Sequence, residues 1–327
     1  MKKYLILGSS GTIGNAITKR LRSEGNWVRG VDIKYCDFNT SYADEFILSD
    51  LRDINNVRKA FHLPGERFDV VIALCAKMGG AEMVFSKKFD SQIIFDSAQL
   101  NINIAKVASE IGCGKILFSS SACMYGQNLQ TETNSVSLKE SMAWNEGGRP
   151  DSVYGVEKLF AEDVYDSFRR NNGLNVRICR FHNVFATHAV YKGGLEKFPA
   201  ACCRKVAECP DGGEIEIFGD GLQTRSFLWV DEALTGVFKL LDSDYHQPIN
   251  IGSDESISIN DLAKMVIGFS GKNITIKNVS SDVVGVRGRN SDNTLIEKTL
   301  GWKPTQKLEI GMKKLYDWID TEVNPKK

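Results

Sequence analysis

Two hydrophobic rhythms alternate along the first 180 or so residues. Short apolar runs, such as Tyr4-Leu5-Ile6-Leu7, predict buried strands over 3–7, 27–31, 45–48, 68–74, 115–119 and 176–180. Between them, apolar positions recur every three or four residues, which predicts helices over 11–23, 54–61, 94–111 and 152–171. Strands separated by helices call for a parallel sheet with right-handed crossovers, a Rossmann-type doubly wound α/β fold. After Arg180 the rhythm breaks into Gly-, Pro- and polar-rich stretches over 186–221, then short elements and a last helix over 308–323. The expected division is a nucleotide-binding domain over 1–183 and a smaller C-terminal α/β substrate lobe over 184–327. The segment 225–251 is expected to return to the first domain.

The 327 residues suffice for this arrangement, and the 42% hydrophobic and 25% charged content are those of a soluble globular protein. The 41 basic and 41 acidic side chains cancel, with no polybasic run, so neither nucleic acid nor an anionic membrane is the expected partner. No apolar run reaches the roughly 20 residues of a membrane span, and the chain is expected to open directly on its first strand without a leader. The eight cysteines are Cys36, Cys75, Cys113, Cys123, Cys179, Cys202, Cys203 and Cys209. None forms a Cys-x-x-Cys pair, so reduced thiols of a cytoplasmic protein are expected, without a metal site.

Gly8-Ser9-Ser10-Gly11-Thr12-Ile13-Gly14 joins the first strand to the first helix. Glycines there let backbone approach a pyrophosphate, and the helix N-terminus favours its charge. A plain Gly-Ser turn is the alternative; the position at the first strand–helix junction favours the dinucleotide reading. Asp32 ends the second strand. An acid there accepts bonds from a ribose 2′-hydroxyl and repels a 2′-phosphate, which favours NAD over NADP. Asp50 follows the third strand and is either an adenine-side residue or a helix cap.

Ser121 and Cys123 follow the fifth strand. Tyr154 and Lys158 stand four apart at the start of a helix, on one face. Of the nine tyrosines, Tyr154 alone has Lys four residues on. An ammonium beside a phenol lowers the phenol's pKa, so this pair suits an acid/base near neutral pH. Read as chemistry alone, Cys123 is either a proton carrier or a small buried hydrophobe.

With the glycine loop, this group resembles the extended short-chain dehydrogenase/reductase family over nearly the whole chain. The resemblance implies Tyr154 as acid/base of a hydride step, Lys158 as its tuner and nicotinamide-ribose ligand, and Ser121 as hydrogen-bond donor to the reacting oxygen. It narrows at Met78-Gly79-Gly80, Ser120 to Cys123, Arg180 to Asn183, Lys192-Gly193-Gly194, Gly219 to Phe227, Asn250 to Glu255 and Gly285 to Asn293. These stretches resemble the branch that inverts C3 and C5 of a GDP-hexose, GDP-mannose above all, with NAD bound. That branch implies Cys123 and Lys197 as the second acid/base pair. It places Met78, Gly79, Gly80, Asn183, Lys197, Arg225 and Arg287 around the nucleotide sugar, with Arg289 a weaker third arginine. His182 is expected to be a core histidine. Lys192 rivals Lys197. A homodimer through the helices over 94–111 and 152–171 is also implied. The chain departs from the branch at Lys77, Asp96-Ser97 and Phe185-Ala186-Thr187, around the pocket wall and cofactor side. Two other readings stand beside this one. A nucleotide-sugar 4-epimerase would use Tyr154 and NAD and leave Cys123 and Lys197 idle. A non-catalytic NAD-sensing protein on the same fold would have no need of Ser121, Tyr154 and Lys158 together.

Overall fold

A computed structural model describes residues 1–134, 136–281 and 285–325. The first half follows the predicted alternation. It runs β1 (Lys3–Leu7), α1 (Thr12–Ser23), β2 (Trp27–Asp32), β3 (Glu45–Leu48), α2 (Ile54–Phe61), β4 (Val70–Ala73), α3 (Ala81–Phe85), α4 (Asp90–Ile111), β5 (Lys115–Ser121), α5 (Val153–Asn172) and β6 (Val176–Phe181). A short β7 (Val184–Phe185) and α6 (Phe198–Glu208) follow, then β8 (Glu214–Phe218), β9 (Thr224–Ser226), β10 (Leu228–Trp229), α7 (Val230–Asp242) and β11 (Ile249–Ile251). The chain closes with β12 (Ser256–Ser258), α8 (Ile259–Ser270), β13 (Thr275–Val279), β14 (Gly288–Arg289), α9 (Thr294–Leu300) and α10 (Leu308–Val323).

The seven-stranded sheet has the order β11-β6-β5-β4-β1-β2-β3, and every pairing in it is parallel. The strand order reverses between β1 and β4, and ligands of doubly wound sheets bind outside the carboxyl ends of the strands at such a point. Central strands are buried on both faces: Leu5, Ile6, Leu7, Val71 and Ile72 have no exposure. That explains why they read as continuous apolar runs rather than alternating ones.

The later half differs from its expectation in two ways. The stretch over 186–221, read as irregular, holds α6 and β8. Pro199 opens α6, and Cys202, Cys203, Val206 and Ala207 form its buried side. Only part of 225–251 joins the main sheet: β11 pairs with β6, and α7 packs against α1 and β6. The other strands form small sheets of their own, β12-β9-β14, β10-β7 and β13-β8. In the first of these, β9 and β14 run parallel with Arg225 opposite Arg289.

Candidate active site

The glycine loop is a cradle that side chains would fill. Gly8 has φ +89°, and a Cβ on it would stand 2.8 Å from Cys75 N. A Cβ on Gly14 would stand 2.1 Å from the Gly8 carbonyl oxygen. Gly11 caps α1 without a side chain, so the first-turn amides over Thr12, Ile13 and Gly14 stay open toward the loop. The Asp32 carboxylate accepts from Ser10 N at 2.9 Å and Lys34 N at 3.2 Å, which fixes it at the tip of β2. These residues fit a dinucleotide with its pyrophosphate on α1. Of the two readings of Asp50, the helix cap is not what the structure gives. Its carboxylate is clamped by Arg52, at 2.7 Å to Nη2, and Asp53 caps α2 instead. Arg52 also donates to Asp96 at 2.9 Å, so the Asp96 departure belongs to this surface group.

At the end of β5 the chain enters a 3-10 turn, Ala122–Met124, capped by Ser121, whose Oγ accepts from Cys123 N at 3.2 Å. Ser152 caps α5 by accepting from Gly155 N at 3.3 Å, and the first turns of that helix carry Tyr154 and Lys158. The turn and the helix touch through backbone: a Cβ on Gly155 would stand 1.9 Å from the Cys123 carbonyl oxygen. The Ser121 hydroxyl acts on the Tyr154 phenol. Lys158 is buried, donates to the Ser119 carbonyl at 2.9 Å, and has its Nζ 5.7 Å from the Tyr154 ring centre.

The expected lowering of Tyr154 by Lys158 is not what this arrangement gives. Burial pushes the phenol well above its ordinary range, Cys123 and Glu157 push the same way, and only Ser121 opposes them. Lys158 points its ammonium at a carbonyl of β5. Without a further positive charge beside it, Tyr154 keeps its proton.

Cys123 is partly exposed and packs on the cluster of Met83, Val84, Ile93 and Tyr154. Lys197, at the start of α6, carries an ammonium that interacts electrostatically with Cys123. Desolvation pushes that ammonium's pKa down while Cys123 pulls it up; the residue is exposed to solvent, so the downward push is softened. The Met78-Gly79-Gly80 turn lies against the same segment. A Cβ on Gly80 would stand 2.6 Å from the Glu196 carbonyl oxygen, and one on Gly79 3.0 Å from Leu195 Cδ2. Lys192, also exposed, lies over the Tyr191 ring at 5.5 Å instead.

The arginines sort differently from their sequence ranking. Arg289, ranked third, sits inside the site. It donates to Cys123 Sγ at 3.2 Å and to Gln130 Oε1, and pairs with the buried Asp151 carboxylate. Burial weighs against its charge, but Cys123 and Asp151 more than offset that and hold its pKa up. Arg225 donates to the carbonyls of Thr224 and Val286, both at 2.7 Å. Burial and the neighbouring Arg289 push it down to about 9. Arg287 is half-exposed and pairs with Asp220 at 2.9 Å. Asn183 has φ +41° and donates to the Ser226 carbonyl at 2.8 Å, which leaves its side-chain oxygen free of that bond. His182 is fully buried, faces Asn250 at 3.1 Å, and is pushed down to about 3 by burial. Asp151 and Gln130 escaped the sequence reading. An acid directly before a helix-capping serine reads as an ordinary helix start, and no spacing ties it to position 289.

The arrangement brings together a phenol–hydroxyl–ammonium group suited to hydride chemistry and a thiol–ammonium pair suited to proton transfer, ringed by cations. Among the described residues no His, Cys, Asp and Glu cluster could hold a metal, and no helix is long and apolar enough to cross a membrane. The model of the NAD dependent epimerase/dehydratase family matches residues 4–252. The GDP-mannose 3,5-epimerase of Arabidopsis thaliana is 41% identical over 99% of this chain and 84% of its own length. GDP-mannose 3,5-epimerase 1 of Oryza sativa subsp. japonica is 40% identical over 98% and 82%. Among solved structures, UDP-glucose 4-epimerase of Thermotoga maritima with UDP-glucose superposes with a TM-score of 0.83 at 22% identity, covering 98% of this chain and 100% of that one. The Thermus thermophilus UDP-glucose 4-epimerase complex with NAD gives 0.82 at 20%, covering 97% and 98%. The chain belongs to the NAD dependent epimerase/dehydratase family and, within it, to the GDP-mannose 3,5-epimerases.

Proposed function

We propose that this protein inverts C3 and C5 of GDP-mannose, with NAD bound throughout the cycle. The observation that carries the reading is the second acid/base pair: Cys123 and Lys197 interact electrostatically, and Cys123 packs on the cluster that holds Tyr154. A 4-epimerase has no work for that pair.

Gly8, Gly11, Thr12, Ile13 and Gly14 would hold the cofactor pyrophosphate, Asp32 the adenosine ribose, and Lys158 the nicotinamide ribose. When bound, oxidised NAD supplies a hydride acceptor and a positive ring that eases loss of the Tyr154 proton. Tyr154 takes the proton of the sugar C4 hydroxyl and later returns it, with Ser121 hydrogen-bonded at the same oxygen. Hydrogens on carbons beside a carbonyl are acidic. Cys123 and Lys197 remove and return them from opposite faces, and two faces need two carriers. Met78, Gly79 and Gly80 shape the sugar end. Asn183, Arg225 and Arg287 serve the nucleotide and diphosphate end, where guanidinium forks suit phosphate oxygens. A phosphate arriving beside Arg225 would relieve its crowding by Arg289.

A cytoplasmic homodimer completes the reading. Ile94, Phe95 and Ile102 on α4 and Phe160 on α5 are exposed apolar side chains on the two helices expected to pair between subunits. Light scattering reads the dimer directly. For the reaction, GDP-mannose is incubated with the protein in deuterium oxide and followed by NMR. Deuterium at both C3 and C5 supports the reading; turnover at C4 of another nucleotide sugar without exchange would replace it with a 4-epimerase.

A further inference from the structure

Cys123 lies in an unusually cationic setting. Arg289 from β14 donates to its sulfur at 3.2 Å, and Arg225 from β9, Lys197 ahead of α6 and Tyr154 of α5 all interact with it electrostatically. Three of those four neighbours carry positive charge. Asp151 is the carboxylate in the group. It stands just before α5, its side chain is 2% exposed, and it pairs with Arg289, whose own side chain is 4% exposed. Its other oxygen accepts from Ser152 Oγ at 2.8 Å, so the acid is tied to the cap of the helix that carries Tyr154.

A base strong enough to take a carbon-bound proton must also be able to give one back. A sulfur facing only cations would stay ionised and serve as a poor acid. We propose that Asp151 is a positioning residue for proton exchange: it holds Arg289 against the Cys123 sulfur and offsets the guanidinium's field there, so that the sulfur alternates between thiol and thiolate. This rests on the epimerase reading for its purpose, but its physical content is a property of the thiol alone.

Asp151→Asn removes the charge and keeps an oxygen that can accept from Arg289. Asp151→Glu keeps the charge. The test is alkylation of Cys123 by iodoacetamide across a range of pH, followed peptide by peptide by mass spectrometry, with Cys36 and Cys113 as internal references. The midpoint for Cys123 should move to lower pH by about one unit in Asp151→Asn, the scale of one charge a few ångströms away in a half-buried site, and stay in place in Asp151→Glu. The acid limb of the solvent-exchange rate should move with it. An unmoved midpoint in Asp151→Asn, or an equal movement in both variants, would overturn the proposal, because a role limited to capping or packing gives one of those results. Should Asp151→Asn not fold, Gln130→Glu makes the converse test. A second carboxylate on the same guanidinium should raise the midpoint, and no rise would overturn the proposal. Absence of any exchange in the unaltered enzyme would sink the epimerase reading instead and leave the alkylation result standing.

Discussion

The hydride group and the proton-transfer group touch, yet they are built in opposite ways. Ser121, Tyr154 and Lys158 come from the end of one strand and the start of the next helix, and Tyr154 and Lys158 share a helix face. Cys123, Asp151, Lys197, Arg225 and Arg289 come from five separated places and meet only because β9 and β14 pair and α6 begins opposite the turn after β5. The first group is local, carried by the end of a sheet strand and the helix that follows it in the fold. The second is an assembly across the two halves of the chain. On the proposed reading, chemistry common to many reactions rests on the local group and chemistry particular to inversion on the assembled one.

The largest test of that contrast separates the two groups. Tyr154→Phe should reduce turnover by about a thousandfold or more and abolish deuterium exchange, since no carbonyl forms. Cys123→Ala should abolish exchange to a similar degree while leaving NAD binding, read by cofactor fluorescence or co-purification, unchanged. Full exchange in the alanine variant would remove Cys123 from proton transfer.

Next in size, Lys197→Met should slow exchange about a hundredfold, with the nucleotide sugar still bound in calorimetry. The unaltered enzyme adds a pH signature. Where the Lys197 ammonium serves as the acid, activity falls as pH rises through its pKa, and that pKa is lowered, so the alkaline limb should lie below the usual lysine range. A limb at the ordinary lysine value would contradict this.

A smaller effect probes the seam between the groups. Gly155→Ala puts a Cβ 1.9 Å from the Cys123 carbonyl oxygen, against backbone that cannot turn aside. It should destabilise by about 1–3 kcal/mol, read by denaturant titration, and impair both groups together. Gly268→Ala on α8, where a Cβ meets nothing within 4 Å, should be neutral or slightly stabilising.

The smallest expected effect lies behind the site. His182 drops from 6.5 to about 3 on folding, so the folded protein binds fewer protons there than the unfolded chain. Its stabilising contribution is complete above about 6.5 and is lost as pH falls toward 3. Thermal unfolding should therefore show a steeper acid decline in the unaltered protein than in His182→Gln, by several degrees. The buried acids Glu157 and Glu140 are shifted upward by burial and act with the opposite sign, so the difference between the two proteins is the quantity to read.

What was legible in the sequence divides along the same line. Strands of four to seven residues carry enough positions to show a run, and β1 and β3 occupy the predicted residues, while β4 is shorter than its apolar run. The strands β7, β9, β10 and β14 have two or three residues and show no period at all. Helix α6 was hidden because cysteines and a proline fill the positions where leucine or isoleucine would announce an apolar face. The local Tyr154–Lys158 pair follows from spacing. Lys197 entered only through resemblance, and Asp151 not at all, because its partner lies 138 residues away.

The late return of β11 to the main sheet bears on how this chain can be cut. It pairs with β6, the last strand of the first half. A fragment ending after Asn183 would lose that partner and present β6, six buried residues long, as a bare edge to any other strand. Such a piece should self-associate rather than serve as a free cofactor-binding module. Exchange of substrate lobes between relatives should keep α7 and β11 with the sheet they cover, and graft the intervening segments around them.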